Sequence, residues 1–360
     1  MPSATEWIES LSPWPTEGFG TERMVELLDR LGNPQRSFDA VHVVGTKGKS
    51  TAARRIAATI GGVAYTSPHV SGWHERFQTD EAGFERAIQR VRAVAEELGA
   101  TQFEMLTAAA FKDFEVRGVT VAAVEAGLGG RFDATNVIDA RVVLLTNVAL
   151  EHTDVLGDTR EAIAAEKLAV VQPGCTVVLS DPEWEELARE NGAGDVIVAG
   201  SSNLALATAA AEAFLGAEVD PHAAQDVSLP GRLETRSEEP LEIWDGAHNL
   251  AGIGYLLPRL PSREYVLVCS ILADKRPELM LEALSVLGST LIATESSNPR
   301  ALRAGDLATR AEPYFQHVES VPDPFRARSR ALELAGPSGA VAVTGSLYLL
   351  AELNGHGTSP

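Results

Sequence analysis

The chain has 360 residues, of which 45% are hydrophobic and 22% charged, a composition typical of a globular protein of two domains. Asp and Glu total 50 against 30 Lys and Arg, so the net charge is −20, which argues against a nucleic-acid partner. Two distant cysteines, no signal-peptide pattern and no apolar run of membrane-spanning length argue against a disulfide scaffold and a membrane partner, so we expect a cytoplasmic protein. We also expect a monomer.

The first half of the chain alternates predicted helices and strands. Up to residue 66, helices in TERMVELLDRLGNP and KSTAARRIAATI alternate with strands in AVHVV and VAYT. The next elements are helix FEMLTAAAFKDF, strands VTVAAVEA and ARVVLLTNV, helix TREAIAAEKLAVV, strands CTVVLS and DVIVAG, and helix NLALATAAAEAFL. Such alternation predicts a parallel sheet covered by helices on both faces.

The composition changes near residue 228, where we place a domain boundary. A second α/β series begins there, with strands in LEIWDGAHN, YVLVCSILADK, STLIATESS and GAVAVTG. We therefore expect an α/β protein with domains 1–228 and 229–360, the second smaller than the first. The tail NGHGTSP is predicted to be disordered.

The stretch VHVVGTKGKST, residues 41–51, runs from a strand into a helix through glycines. It does not fit the usual G-x-x-x-x-G-K-[ST] phosphate loop, because Val43 stands where the first glycine is expected. A plain glycine turn is one interpretation. A phosphate loop is the other, since Lys49 begins a helix whose N–H groups favour an anion and a hydroxyl after it can ligate Mg²⁺.

Several further segments, in order over nearly the whole chain, resemble the folylpolyglutamate synthase and dihydrofolate synthase family of the Mur ligase superfamily. They are LGNPQ, YTSPHV with ERF, FEMLTAAAF, VEAGLGGRFDATNV, EHTDVLGDTREAIAAEKLAVVQPG, LPGRLE, WDGAHN, LADK and TGSLYL. The loop is similar to the short G-T-x-G-K-[ST]-[ST] form of that superfamily. The resemblance implies a Mur ligase architecture: an N-terminal, mostly parallel P-loop ATPase domain and a C-terminal Rossmann-like glutamate-ligase domain.

The resemblance also implies residue roles in the first domain. Glu125 ends a predicted strand, where a carboxylate faces the ligand crevice of an open sheet or is simply solvated. His152 is expected just after the strand VVLLTNV, likewise at a strand end. The family match makes Ser50, Ser67, Glu125 and His152 ligands of Mg²⁺, which we expect as two ions. Lys167 is either a solvated helix lysine or, as often in the superfamily, a lysine carbamylated by CO₂. The implied ATP-binding residues of this domain are Gly45, Thr46, Lys47, Gly48, Lys49, Ser50, Thr51 and Asn203.

In the second domain the resemblance implies four functional residues. Arg232 and Asp245 would complete the ATP site across the interdomain cleft, and His248 and Ser346 would lie near the incoming amino acid. Lys49, Lys167 and His248 are the expected catalytic residues. The implied small-molecule substrates are ATP, L-glutamate and folate or dihydropteroate.

The implied reaction is amide ligation, in which the γ-phosphate of ATP activates a carboxylate as an acyl phosphate and the amine of L-glutamate attacks it. Two alternatives stay open: a Mur-type ligase with another acid acceptor, and a nucleotide-binding module without catalysis. Lys47 and Glu151 replace residues usual in the family, and the loops expected to hold the pterin are short. We therefore expect dihydrofolate synthase activity to exceed glutamate-chain elongation, because a polyanionic tail meets a net charge of −20.

Overall fold

The computed structural model describes residues 3–15, 18–220, 222–225 and 227–355. These fall into two compact units, one within Met1–Pro68 and Trp73–Val227, the other within His69–Gly72 and Ser228–Pro360. The short segment His69–Gly72 is the one departure from a single boundary near residue 228. Most of the tail predicted to be disordered, residues 356–360, lies outside the described residues.

The first unit is built on a six-stranded sheet in which all strand pairs are parallel. Its strands are β1 (Asp39–Val44), β2 (Val63–Tyr65), β3 (Val121–Glu125), β4 (Ala140–Leu145), β5 (Thr176–Leu179) and β6 (Asp195–Val198). The spatial order is β2-β3-β1-β4-β5-β6, with Val43 opposite Glu125 on one side and Leu144 on the other. The loop that follows β1 is therefore flanked by the ends of β3 and β4.

Helices cover both faces of this sheet. They are α1 (Ala4–Ser10), α2 (Glu22–Arg30), α3 (Lys49–Ile60), α4 (Glu81–Leu98), α5 (Gln102–Arg117), α6 (Thr153–Leu156), α7 (Arg160–Leu168), α8 (Glu185–Glu190) and α9 (Asn203–Leu215). Successive strand residues point to opposite faces. Val43 and Leu144 accordingly pack in the cluster with α3 and α9, whereas Val143 and Leu145 pack with α2, α4, α5 and α7.

The second unit repeats this three-layer arrangement on a mixed sheet of order β11-β10-β9-β12-β8-β7. Its strands are β7 (Glu234–Glu238), β8 (Leu241–Trp244), β9 (Val266–Cys269), β10 (Thr290–Ala293), β11 (His317–Ser320) and β12 (Ala340–Thr344). Its helices are α10 (Leu250–Leu256), α11 (Pro277–Leu284), α12 (Ala304–Ala311), α13 (Pro324–Ala335) and α14 (Leu347–Leu353). Only β7 pairs antiparallel among the described strands of this sheet.

The α/β class and the parallel first sheet are confirmed, and α3 and α9 have the predicted bounds. One placement is wrong: His152 does not end a strand. β4 stops at Leu145, and His152 precedes the four-residue helix α6 with φ 48°. No helix within the described ranges combines the length and apolarity needed to cross a bilayer.

Candidate active site

The candidate site lies at the carboxyl edge of the first sheet, beyond β1, β3 and β4. From β1 the chain continues into α3 on one face, and from β4 it continues towards α7 on the opposite face. Ligands of open α/β sheets bind in the crevice that forms at such a switch in direction. Lys49 begins α3 just after the β1 loop, and Glu125 is the last residue of β3. Lys167 lies in α7 and contacts Gly45 and Glu151 in the loops after β1 and β4.

The loop after β1 is held open by two glycines. Gly45 has φ 140° and Gly48 has φ 83°, a region that L-residues rarely adopt. A Cβ at Gly45 would lie 2.0 Å from Thr146 Oγ1, and one at Gly48 would lie 2.5 Å from Asn203 Oδ1. Gly48 is the N-cap of α3 and, being a glycine, has no side chain to cap this helix end. The first N–H groups of such a helix favour an anion.

Two lysine ammonium groups converge on one carbonyl of this loop. Lys49 Nζ and Lys167 Nζ each donate to the Gly45 carbonyl oxygen at 3.0 Å. Lys167 is 1% exposed, and its Nζ also pairs with Glu151 Oε1 at 3.2 Å. Burial, the largest cause, and the nearby charge of Lys49 together lower the pKa of Lys167 to about 8, although Glu151 opposes the shift. A cation-rich pocket of this kind favours a polyanion.

A buried carboxylate lies beside the loop. Glu125 ends β3 and is 2% exposed. Its Oε1 accepts from Ser50 Oγ at 3.0 Å, and its Oε2 accepts from the Ser67 N–H at 2.9 Å. Ser50 Oγ is also 3.5 Å from the Ser67 carbonyl oxygen. Three of the four expected metal ligands are therefore neighbours, and their donor atoms are all oxygens.

The fourth expected ligand is His152. His152 is exposed and lies in the loop region between β4 and α6. Among the described residues there is no group of three or more His, Cys, Asp or Glu side chains placed to hold a metal ion. Any ion here would depend on serine and carbonyl oxygens in addition to Glu125.

In the second unit, Asp245 follows β8 and organises the turn that carries Arg232. Asp245 Oδ2 accepts from the Leu233 N–H and Oδ1 from the Ala247 N–H, both at 2.9 Å. Burial raises the pKa of Asp245, while the positive charge of Arg232 and these two hydrogen bonds oppose the shift. Arg232 donates to the Gly231 carbonyl at 3.1 Å. The structure thus brings Arg232 and Asp245 together, as their shared expected role requires.

His248 and Ser346 follow the neighbouring strands β8 and β12. His248 Nδ1 lies 2.9 Å from the Gly246 carbonyl oxygen, which can only accept, so Nδ1 carries a proton. In the neutral ring Nε2 is then the basic nitrogen. Ser346 is 1% exposed and caps α14 by accepting from the Tyr348 N–H at 3.1 Å.

Sequence reasoning missed Thr146 and Asn147, which follow β4 and hold the phosphate loop. Thr146 Oγ1 donates to the Lys47 carbonyl at 2.7 Å, and the Asn147 side chain bonds both the N–H and the carbonyl of Lys47. The signal that could have identified them is their position directly after a buried strand. It becomes informative only once β4 is known to lie next to β1.

Sequence reasoning also missed a buried series of hydrogen bonds that supports the glycine-rich loop after β3. Thr135 Oγ1 donates to Asp133 Oδ1 at 2.5 Å and therefore accepts from His42 Nε2 at 2.8 Å. Asp133 Oδ2 accepts from the Leu128 N–H at 2.8 Å. Burial lowers the pKa of His42 to about 3 and raises the pKa of Asp133. His42 is therefore a neutral donor at physiological pH.

Comparison with known proteins places these features in a family. Residues 231–347 match the model of the Mur ligase glutamate ligase domain. The folylpolyglutamate synthase of Lacticaseibacillus casei is 31% identical, with 91% of this chain and 92% of that protein covered.

Solved structures of proteins from the same family are similar to this chain over nearly its whole length. The Mycobacterium tuberculosis folylpolyglutamate synthase complexed with ADP superposes with a TM-score of 0.86 at 27% identity, covering 99% of this chain and 98% of that one. The bifunctional folylpolyglutamate synthase/dihydrofolate synthase of Yersinia pestis, complexed with AMPPNP and a Mn ion, gives a TM-score of 0.84 at 28% identity and covers 98% and 97%.

A phosphate loop on a parallel sheet, joined to a Mur glutamate ligase domain, defines the class of ATP-dependent acid–amino-acid ligases. Within that class, the chain belongs to the folylpolyglutamate synthase/dihydrofolate synthase family.

Proposed function

We propose that this chain joins L-glutamate to a folate-type carboxylate at the expense of ATP, through an acyl phosphate. One observation carries the proposal. The N-terminus of α3, with the glycine N-cap Gly48 and Lys49 at its start, lies beside the buried oxygen cluster of Glu125, Ser50 and Ser67. Phosphoryl transfer needs positioning and charge neutralisation more than covalent chemistry by the protein, and this arrangement offers both.

The oxygen cluster fits a divalent cation. In octahedral Mg²⁺ coordination with oxygens about 2.1 Å from the metal, neighbouring ligand oxygens lie about 3 Å apart. Ser50 Oγ and Glu125 Oε1 are 3.0 Å apart. We propose Ser50, Ser67 and Glu125 as ligands at the metal sites and His152 as a ligand of the second ion, as the family resemblance implies. A divalent cation held by these residues would supply positive charge that offsets the charge of the phosphates.

The proposed reaction has two chemical steps, each assisted by a named residue. In the first, an oxygen of the acceptor carboxylate attacks the γ-phosphorus and ADP leaves; Lys49 offsets the charge that builds up on the transferred group. In the second, the amine of L-glutamate attacks the acyl carbon and inorganic phosphate leaves. His248 Nε2 is proposed to take the proton that the amine loses, since Nδ1 is already protonated.

The remaining assignments concern nucleotide and substrate. We propose that Arg232 and Asp245 contact the nucleotide and that Ser346 helps to hold the incoming amino acid. Around the phosphate loop, Gly45, Thr46, Lys47, Gly48, Ser50 and Thr51 are proposed to surround the phosphates, and Asn203 to lie near the nucleotide, because it contacts Gly48.

Lys167 is proposed to react with CO₂. Carbamylation requires a neutral amine, and the lowered pKa of Lys167 raises the neutral fraction at physiological pH. The amine would gain a carboxylate and lose a proton, turning a buried cation into an anion beside Glu151. Lys49 is close enough to lower the pKa of Lys167 and would pair with the carbamate. The carbamate would be a carboxylate-like group able to hold or orient Mg²⁺.

The test is release of phosphate from ATP and L-glutamate, measured with 7,8-dihydropteroate and with tetrahydrofolate supplied separately. Release that requires both L-glutamate and a pteridine acceptor supports the proposal. Phosphate release in the absence of any acceptor contradicts the proposal. So does a failure of both dihydropteroate and tetrahydrofolate to stimulate phosphate release. For the finer question we propose a higher kcat/KM for dihydropteroate than for a glutamylated tetrahydrofolate, and the reverse order would contradict the short-loop argument.

A further inference from the structure

We infer that Asn147 is a positioning residue, whose carboxamide fixes the phosphate loop so that the N-terminus of α3 faces the nucleotide. The inference rests on the proposed function, because it concerns how the same nucleotide site is held. Asn147 itself is half-buried and is assigned no contact with substrate.

The contact is a pairing of one side-chain amide with one residue of the backbone. Asn147 Oδ1 accepts from the Lys47 N–H at 3.0 Å, and Asn147 Nδ2 donates to the Lys47 carbonyl at 2.9 Å. The backbone carbonyl of Asn147 also accepts from the Thr46 N–H at 3.0 Å. Among side chains of this length, only asparagine offers a donor and an acceptor side by side.

Thr146 strengthens the same contact from the preceding position. Its Oγ1 donates to the Lys47 carbonyl at 2.7 Å and fills the space that a Cβ at Gly45 would need. The Lys47 carbonyl therefore accepts two hydrogen bonds, and the backbone of Thr46 and Lys47 donates both of its N–H groups to the loop after β4.

This pairing decides which groups remain for the nucleotide. With the N–H groups of Thr46 and Lys47 used within the protein, the donors left to face an anion are those at the start of α3, whose N-cap Gly48 has no side chain. If Asn147 is removed, the peptide between Thr46 and Lys47 can turn, and the glycine turn at Gly48, with φ 83°, loses its support. The nucleotide then has to reorder the loop on binding, which weakens its affinity.

The test is calorimetric titration of the full chain with ADP in excess MgCl₂, combined with KM values for ATP, L-glutamate and acceptor. Asn147→Ala removes two hydrogen bonds, and we expect about 30-fold weaker ADP binding. The KM for ATP should rise similarly, with the KM for L-glutamate unchanged. Asn147→Asp, which sets a carboxylate against the Lys47 carbonyl, should lose at least as much.

Two variants calibrate the result. Thr146→Val removes one bond, and we expect about five-fold weaker ADP binding. Asn191→Ala removes a side-chain bond to the Leu187 carbonyl, on α8, and should leave ADP binding unchanged. If Asn147→Ala does not fold, Asn147→Asp and Thr146→Val decide the matter.

The outcomes separate the inference from the proposed function. A natural chain that does not bind Mg-ADP contradicts the proposed function. A natural chain that binds Mg-ADP, with Asn147→Asp and Thr146→Val binding it equally well, overturns the positioning role alone. Equal rises in the KM for all three substrates, accompanied by a falling Tm, would also overturn it. A general loss of structure would then explain the weaker binding without a positioning role for Asn147.

Discussion

Replacing Lys49 with alanine tests the phosphate loop most directly. Lys49 Nζ lies 3.0 Å from the Gly45 carbonyl oxygen, at the first residue of α3. At an effective dielectric constant of about 20, two unit charges about 4 Å apart interact by about 4 kcal/mol. Loss of this interaction with the transferred phosphoryl group should lower kcat/KM for ATP about a thousandfold.

The substitution should not reduce the thermal stability of the protein. A cation at a helix N-terminus opposes the helix dipole, and Lys49 also repels the buried Lys167, so Lys49→Ala should keep or slightly raise Tm. The assay is phosphate release at varied ATP, with thermal unfolding of each variant. Lys112→Ala is the matched control. Lys112 is a half-buried lysine on helix α5, outside the candidate site, and its ammonium group also donates to a backbone carbonyl, that of Leu31. A kcat/KM within about threefold of the natural chain would refute the charge argument.

Further changes test the metal, the buried histidine and the surface charge. Glu125→Gln and His152→Ala should each lose Mg²⁺-dependent phosphate release, with at most partial recovery in excess Mg²⁺; a crystal with Mg-ATP showing either natural side chain away from the metal would contradict this. His42 has a folded pKa of about 3 against an unfolded value near 6.5, so the unfolded chain binds the extra proton and stability falls as pH drops below 6.5. Between pH 6.5 and 4 the loss should be about 3 kcal/mol, and chemical denaturation of His42→Gln should show a correspondingly weaker pH dependence; parallel curves would contradict it. Finally, KCl should raise Tm because it screens the repulsion within a chain of net charge −20, and a Tm insensitive to KCl would show that the charges are already compensated.

Local signals in the chain predict the segment from β1 to α3 well. Glycines, a lysine and an Ala-rich helix follow a buried strand there, and α3 begins and ends where expected. Glu125 likewise ends its strand as predicted, because the apolar run stops at that residue. In these places the residues that matter are close in sequence, so their pattern is visible without the fold.

Contacts made across the sheet are not visible in this way. Asn147 lies 100 residues from Lys47 in the chain, and the two meet because β4 pairs with β1. The strands β7 and β11, ETRSE and HVES, are short and polar with mostly half-exposed or exposed residues, so they lack the apolar run that predicts a strand. His152 was misplaced because the apolar pattern of VVLLTNV continues beyond the last paired residue, Leu145.

The grouping of His69–Gly72 with the second unit determines how this protein can be divided. The chain passes from one unit to the other three times, after Pro68, after Gly72 and after Val227. A single cut between Val227 and Ser228 would therefore leave the C-terminal fragment without Val70, which belongs to the same apolar cluster as Trp244. A chimera that exchanges this half between relatives therefore has to exchange residues 69–72 along with it.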